Sequence, residues 1–132
     1  LVSVMRLFGG SYRSFVFLEI GVLDVGNFKG PEEVENLRAQ VQRDLDRYVQ
    51  FVRREGFHGA AVSEIGVDVV DEVERIAPSI LKSHPGAVFF GGKLLFRSES
   101  IFDWLLHNQI VFAVQRRLHR QGIPFVILPL RV

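Results

Sequence analysis

Residues 86–132 read GAVFFGGKLLFRSESIFDWLLHNQIVFAVQRRLHRQGIPFVILPLRV. A short apolar run at 87–90 is followed by a glycine pair, a polar loop and a long helical pattern, and a Gly-x-Pro break then precedes a second apolar run at 125–130. This is the order strand, loop, helix, strand, and parallel strands need a crossover of this kind. The chain is therefore predicted to be α/β, with an open, mostly parallel sheet.

Composition bounds the class of protein. With 132 residues the chain is long enough for one domain with its own core. The 12 Phe and 48% hydrophobic residues are many for a lone domain, which predicts apolar surface reserved for a partner. The net charge is +1 and basic residues are interspersed with acidic ones, so no nucleic-acid partner is expected. The chain has no Cys, which excludes disulfides and thiolate metal sites.

The first half of the chain carries another strand, helix, strand pattern. Residues 15–23 are apolar on both faces, as in a central parallel strand that helices cover. Pro31 and Gly56 mark the start and the end of the most regular helical pattern. A shorter strand is predicted at 60–67. The apolar stripe of the helix comprises Val34, Leu37, Val41, Leu45, Tyr48 and Val52.

The remaining segments complete the predicted organisation. Residues 1–12 are interpreted as a linker or short strand ahead of a single α/β domain at 13–132. Asp68 is predicted to cap a further helix, and Pro78 within that helix predicts a kink or a split, because proline removes a backbone hydrogen bond. SIFD at 100–103 predicts the start of the last helix. Its apolar residues cover more than one face, which favours a sandwiched or dimeric position.

The residues carry no defensible catalytic or metal-binding pattern. Residues 86–93 do not match the phosphate-binding loop, because the glycine spacing is wrong and Leu94 stands where Ser or Thr is needed. The histidines lie on separate segments without ligand spacing. Glu19 is a lone carboxylate, which is more typical of a strand edge or an ion pair than of acid-base catalysis. We therefore predict a protein that is not an enzyme and holds no metal.

Residues 62–73 and 87–92 carry a first resemblance. They read VSEIGVDVVDEV and AVFFGG, and this order of elements resembles the later part of the universal stress protein fold. That family holds nucleotide phosphates with G-x2-G-x9-G-[ST]; here Gly91 stands at the first glycine, Leu94 at the second and His107-Asn108 at the closing pair. The resemblance implies an open sheet of four to five strands with helices on both faces, whose first strand-helix unit is absent or only partly replaced.

Five further phrases carry a closer resemblance. They are RSFVFLEIGVLDVGNFKG at 13–30, AVFFGGKLLF at 87–96, LLHNQ at 105–109, QRRL at 115–118 and VILPLRV at 126–132. In these the chain is similar to the soluble C-terminal domains of bacterial amino-acid permease-like transporters of the amino acid-polyamine-organocation superfamily. The resemblance implies a regulatory or assembly domain at the cytoplasmic face of the inner membrane, with the transmembrane part of the same chain as a partner.

Two sets of candidate site residues follow. In the alternative reading, a nucleotide sensor, the nucleotide is expected near the carboxyl ends of the strands and the start of the last helix. That set comprises Asp24, Asn27, Lys29, Gly66, Gly91, Gly92, Lys93, His107 and Asn108. Stress-protein-like domains dimerise through their final strand, so the resemblance implies a homodimer interface. That interface comprises Phe125, Val126, Ile127, Leu128 and Leu130.

Overall fold

The computed structural model describes residues 1–8, 10–95 and 101–131. The chain divides into two compact units, Leu1–Asp68 and Val69–Val132, and each is described by itself. The elements of the first unit are α1 (Val2–Phe8), β1 (Ser14–Val22), a 3-10 turn (Val25–Asn27), α2 (Pro31–Arg54) and β2 (His58–Gly66). Those of the second are α3 (Val69–Ser83), β3 (Phe89–Leu95), α4 (Ile101–Arg120) and β4 (Phe125–Arg131).

The first unit is a parallel strand, helix, strand motif. β1 pairs with β2 in parallel, from Ser14 opposite His58 to Val22 opposite Gly66. α2 packs on one face of this pair. The predicted strands at 15–23 and 60–67 are confirmed with small shifts in their ends. The buried side chains of α2 are Val41, Leu45, Val49 and Val52.

The predicted core stripe of α2 is confirmed in part: Val34 and Leu37 are only partly buried, and Tyr48 lies outside the core. Tyr48 is half exposed, whereas Val49, which the stripe omitted, is buried. The Tyr48 ring stacks on the ring of Phe17 in β1, with centroids 5.4 Å apart. An aromatic ring of this size reaches the edge of the helix–sheet contact and leaves its polar end in water. Val49, one position further on, therefore faces the interior instead.

The second unit repeats the parallel motif. β3 pairs with β4 from Phe89 opposite Phe125 to Leu95 opposite Arg131, and α4 packs against both strands. α3 packs against α4. The predicted last strand is confirmed, and the helix begins at Ile101; the predicted capping residue Ser100 lies outside the described residues. Among the side chains of this unit whose burial the structure describes, the buried apolar ones are Val73, Ile76, Ala77, Ile80, Val114, Leu118 and Ile123.

Both long crossover helices end in the same backbone turn. Gly56 follows α2 with φ 88°, and Gly122 follows α4 with φ 72°, the region in which glycine has no Cβ penalty. After α2 the N–H of Phe57 donates to the carbonyl of Val52 at 2.9 Å, and after α4 the N–H of Ile123 donates to Leu118 at 3.0 Å. These hydrogen bonds satisfy carbonyl groups in the last turn of each helix, and the glycine turns the chain toward the next strand.

Pro78 neither ends nor splits α3, which continues from Val69 to Ser83. Proline cannot donate to the carbonyl four residues earlier, that of Glu74. The side-chain amide of Gln121, at the end of α4, donates to this carbonyl at 3.4 Å. α4 thus supplies a hydrogen-bond donor that α3 itself lacks at this carbonyl. The prediction that Pro78 splits the helix was therefore wrong.

Two further expectations are changed by the structure. Residues Val2–Phe8 form the helix α1, not a strand. The α/β class and the parallel pairing are confirmed. The predicted open sheet of four to five strands is not confirmed, because the described strands form two separate two-stranded sheets. The assignment of 13–132 to a single domain stays a prediction.

Glycines let α2 lie close to the first strand pair. A Cβ on Gly59 would stand 2.6 Å from Cγ2 of the fully buried Val52, and one on Gly21 would stand 3.1 Å from Cγ of Leu37 in α2. Both distances are shorter than van der Waals contact. Gly59 and Gly21 therefore set how near the helix approaches the sheet.

Gly59→Ala is expected to lower the free energy of unfolding by about 1–3 kcal/mol, because the added methyl group overpacks the contact with Val52. Urea unfolding followed by circular dichroism measures this. Gly10→Ala is the control, since a Cβ there meets no heavy atom within 4 Å. Equal effects of the two substitutions would contradict the close-approach argument.

Arg117 links the two helices of the second unit. Its guanidinium donates to Oδ1 of Asp71 at 3.0 Å and to Oε2 of Glu74 at 3.1 Å. The hydrogen bond and charge of Glu74, followed by the charge of Asp71, raise the pKa of Arg117 above its ordinary value. One cation thus ties two carboxylates of α3 to α4.

Arg117→Met is expected to lower the melting temperature more than Arg116→Met, which removes the same charge from an exposed neighbour. The difference should shrink at about 1 M salt, where screening reaches about 3 Å. Differential scanning calorimetry at low and high salt tests both statements. A gap that persists unchanged at high salt would mean that the aliphatic stem of Arg117, not its charge, holds the helices.

Candidate functional site

The carboxyl ends of β1 and β2 lie side by side. Val22 and Gly66 are register partners, and the N–H of Leu23 donates to the carbonyl of Gly66 at 2.8 Å. In open parallel sheets ligands bind beyond this end of the strands. A ligand site of the first unit is therefore expected at the loop at residues 23–30 and the turn at 66–68.

Asp24 and Asn27 meet in a tight local turn. Oδ1 of Asp24 accepts from the N–H of Gly26 at 3.0 Å, and Oδ2 accepts from Nδ2 of Asn27 at 2.9 Å. The N–H of Asn27 also donates to the carbonyl of Asp24 at 3.2 Å. Both carboxylate oxygens thus already hold partners within the loop, so the first role of this pair is to shape it.

The same loop is tied to the first turn of α2. Oε2 of Glu33 accepts from the backbone N–H of Lys29 at 2.8 Å, and the Lys29 side chain is exposed. Gly30, at φ 121°, sits between the loop and Pro31, the first residue of the helix. These contacts hold the end of the loop against the helix.

Four apolar side chains are exposed at this end of the first unit, and we name them the apolar rim. They lie at the ends of β1 and β2 and in the loop that connects β1 to α2. The apolar rim comprises Val22, Val25, Phe28 and Val67, with 49%, 65%, 50% and 61% of their surface exposed. Single exposed apolar residues are ordinary, but a group at one edge is typical of a contact surface.

The predicted glycine loop of the second unit is instead part of a strand. Gly91, Gly92 and Lys93 lie inside β3, opposite Ile127, Leu128 and Pro129 of β4. A Cβ on Gly91 would stand 2.5 Å from Cζ of Phe125, so the ring occupies the space that a side chain would need. Pairing with β4 carries the strand through the glycines, and the expected turn after residue 90 was wrong.

The other predicted residues of the second unit are placed as follows. His107 and Asn108 lie within α4, seven and eight positions along it when Ile101 is counted as the first. The proposed dimer residues, from Phe125 to Leu130, lie in β4 and use one edge of that strand to pair with β3. Asp24, Asn27 and Gly66 are brought to one end of the first unit, whereas the remaining residues of the set, apart from Lys29, belong to the second.

An open groove of about 420 Å³ lies beside α2 and the end of β1, and no pattern in the sequence predicted it. Val22, Leu37 and Ala39 supply its apolar part. Its polar residues recur at three- and four-residue spacing, which places them on one side of the helix. These polar residues are Glu33, Asn36, Gln40 and Arg43.

Glu19 is the one charged residue within β1, and it is half-buried. Gly21 two residues on faces Leu37 and Val41 of α2, so Glu19 lies on the same face of the strand, toward the helix. Burial, and secondly the negative charge of Asp44, raise the pKa of Glu19 above its ordinary value of 4.5. A carboxylate in this position destabilises the folded state at neutral pH.

Three observations bear on the classes of site that the described residues contain. Within those residues no group of three or more His, Asp or Glu side chains is arranged to hold a metal ion. None of the helices in the described ranges is both long enough and apolar enough to cross a membrane. In comparisons with family models, curated proteins and solved structures, no match to this chain was found.

Glu19→Gln is expected to raise the free energy of unfolding at pH 7. With a folded-state pKa above the unfolded one, the native protein binds the proton more tightly, so stability falls as pH rises through the interval between the two values. Above that interval the penalty is complete, and below it the penalty vanishes. The gain from the substitution should therefore shrink as the pH falls from neutral toward 4.5 and be absent below 4.5.

Urea unfolding of both proteins between neutral and acidic pH measures this difference. Glu35→Gln, on the exposed side of α2, is the control for removing a negative charge. A Glu19→Gln protein that is less stable than the parent at pH 7 would mean that the carboxylate has a stabilising partner.

Proposed function

We propose that this chain is a non-catalytic regulatory or assembly domain of a membrane amino-acid permease-like transporter, at the cytoplasmic face of the bacterial inner membrane. It acts by forming a homodimer or by docking on the transmembrane part of the same chain. The resemblance of five phrases within residues 13–132 to such domains supports this assignment. The structural observation that carries it is the apolar rim, a contact surface at the edge of the first unit.

A non-catalytic role is supported by the local chemistry of the strand ends. The carboxylate of Asp24 is engaged by Gly26 and Asn27, and that of Glu33 accepts from the backbone of Lys29. Acid-base or nucleophilic catalysis needs a group poised toward substrate with a second group to activate it. The groups at this end of β1 are used to shape the loop.

The proposal includes a stress-protein-like open sheet of four to five strands. Its support is that both units are built on one plan, a parallel strand pair joined by a long helix that ends in a glycine turn. Repeated units of this kind are the usual parts of open parallel sheets. The finer strand order belongs to the proposal.

Docking can regulate transport only through differential affinity. If the domain contacts the transmembrane part more tightly in one transporter conformation, it shifts the population toward that conformation. Because Phe28 and Val25 are already partly buried, burying the rest of each side chain in such a contact stabilises it by about 1–2 kcal/mol. The apolar rim is therefore large enough to bias a two-state equilibrium.

A nucleotide sensor of the stress-protein type is the second candidate. One observation favours it, namely that Asp24, Asn27 and Gly66 lie together at the carboxyl ends of two parallel strands. The glycines expected to hold phosphate are within β3, which weighs against it. The regulatory proposal is therefore preferred.

The full-length reading frame provides the first test. The full-length protein that contains these residues is expected to include several apolar segments of about 20 residues, because a transporter needs transmembrane helices. Sequencing the messenger RNA tests this. In that protein, deletion of residues 13–132 is expected to change its assembly or its uptake kinetics. A frame without such segments, or unchanged assembly and uptake, would rule out the proposal.

The matched variants separate the apolar rim from other surface. Val25→Ser with Phe28→Ser should reproduce the effect of the deletion in part, and Leu7→Ser, an exposed apolar residue of α1, serves as the control. Uptake by proteoliposomes and crosslinking of the purified transporter are the measurements.

A further inference from the structure

We propose that the groove beside α2 binds a short linear peptide with free amino and carboxyl termini. This inference does not depend on membership of a transporter. It rests on the arrangement of charge, hydrogen-bonding groups and apolar surface along one side of the helix. The groove has a volume of about 420 Å³ and is open to solvent, so it suits a ligand that lies along the surface of the helix.

Opposite charges stand at the two ends of the groove. Glu33 lies in the first turn of α2 and Arg43 lies ten residues further along. At 1.5 Å per residue the two backbone positions are about 15 Å apart along the axis. Helical side chains lean toward the start of the helix, and the contact of Glu33 with the N–H of Lys29 shows this lean at Glu33. Because both side chains lean in the same direction, the two charges stay about 15 Å apart. A ligand that satisfies both must carry a cation and an anion at this separation.

The Glu33 end is held in place before any ligand arrives. Its Oε2 already accepts from the N–H of Lys29 at 2.8 Å, which fixes the carboxylate against the loop. A carboxylate has about four lone-pair positions, so an ammonium group can still bind. Arg43 makes no hydrogen bond or ion pair within the described residues, and its guanidinium matches a carboxylate with two parallel bonds.

The middle of the groove suits peptide groups. Asn36 and Gln40 lie one turn apart between the two charges, and neither makes a side-chain hydrogen bond in the part of the chain that the structure describes. Each offers one amide acceptor and two donors, which complement a peptide backbone. Val22 and Leu37 provide an apolar surface for small side chains.

Length and charge select among possible ligands. An extended peptide rises about 3.4 Å per residue, so four or five residues span about 15 Å between the charges. A single amino acid carries both charges on one carbon and reaches only one end. A nucleotide places its phosphates beside Arg43 but offers no cation to Glu33, and its added negative charge is repelled there.

The test uses alanine peptides from two to six residues, titrated into the 132-residue chain and followed by calorimetry. Affinity is expected to be highest for four or five alanines. N-acetylation or C-terminal amidation of the peptide is expected to weaken binding about tenfold, since each removes one charge-assisted contact. These modified peptides test the two ends without changing the protein.

Matched protein variants assign the ends to residues. Arg43→Met and Glu33→Gln should each raise Kd about tenfold, and Arg43→Met should abolish the effect of C-terminal amidation. Arg47→Met and Glu35→Gln remove the same charges at positions outside the groove and should leave Kd unchanged.

Three results would overturn the inference. The first is a lack of saturable binding by every peptide in the series below about 1 mM. The second is affinity that is independent of peptide length or capping. The third is tighter binding of ATP, ADP or AMP than of any peptide, with the same sensitivity to Arg43→Met, which would make the groove an anion site. None of these results bears on the transporter proposal.

Discussion

The close packing of α2 on the parallel pair β1–β2 is the constraint on which the first unit depends. Leu45 and Val52 are almost completely buried at this contact, and Gly21 and Gly59 leave room for the helix to approach. A two-stranded sheet has too little surface to be stable by itself, so one long apolar helix must supply most of its burial. The packing of α2 on the strands also positions the loop that precedes α2. The apolar rim and the groove are formed by this loop, the strand ends and α2, so both depend on the same packing.

The second unit reaches the same plan with different contacts. Here α4 packs against the strands as well as α3, and the Arg117 bridge and the Gln121 amide join the two helices. The amide compensates a backbone carbonyl that Pro78 leaves without its usual donor. A helix that would be interrupted in isolation is therefore continuous in the folded chain.

The site residues show how far sequence reasoning extends. Asp24 and Asn27 were expected near a strand end, and they are there because residues of this type follow strands in turns. The groove was not expected, because exposed polar residues on a helix have the same pattern whether they line a concavity or face open water. Its shape depends on Val22, which the pairing of β1 with β2 brings beside the helix.

The sequence by itself determined the α/β class, the start of α2 at Pro31, its end before Gly56 and the two parallel strand, helix, strand motifs, because these follow from local periodicity and backbone preference. Only the tertiary structure decided that β3 continues through Gly91 and Gly92. Glycine marks a turn when nothing else is known, but the ring of Phe125 fills the missing side-chain space and β4 pairs with the backbone. Such long-range pairing outweighs a local preference of about 1 kcal/mol.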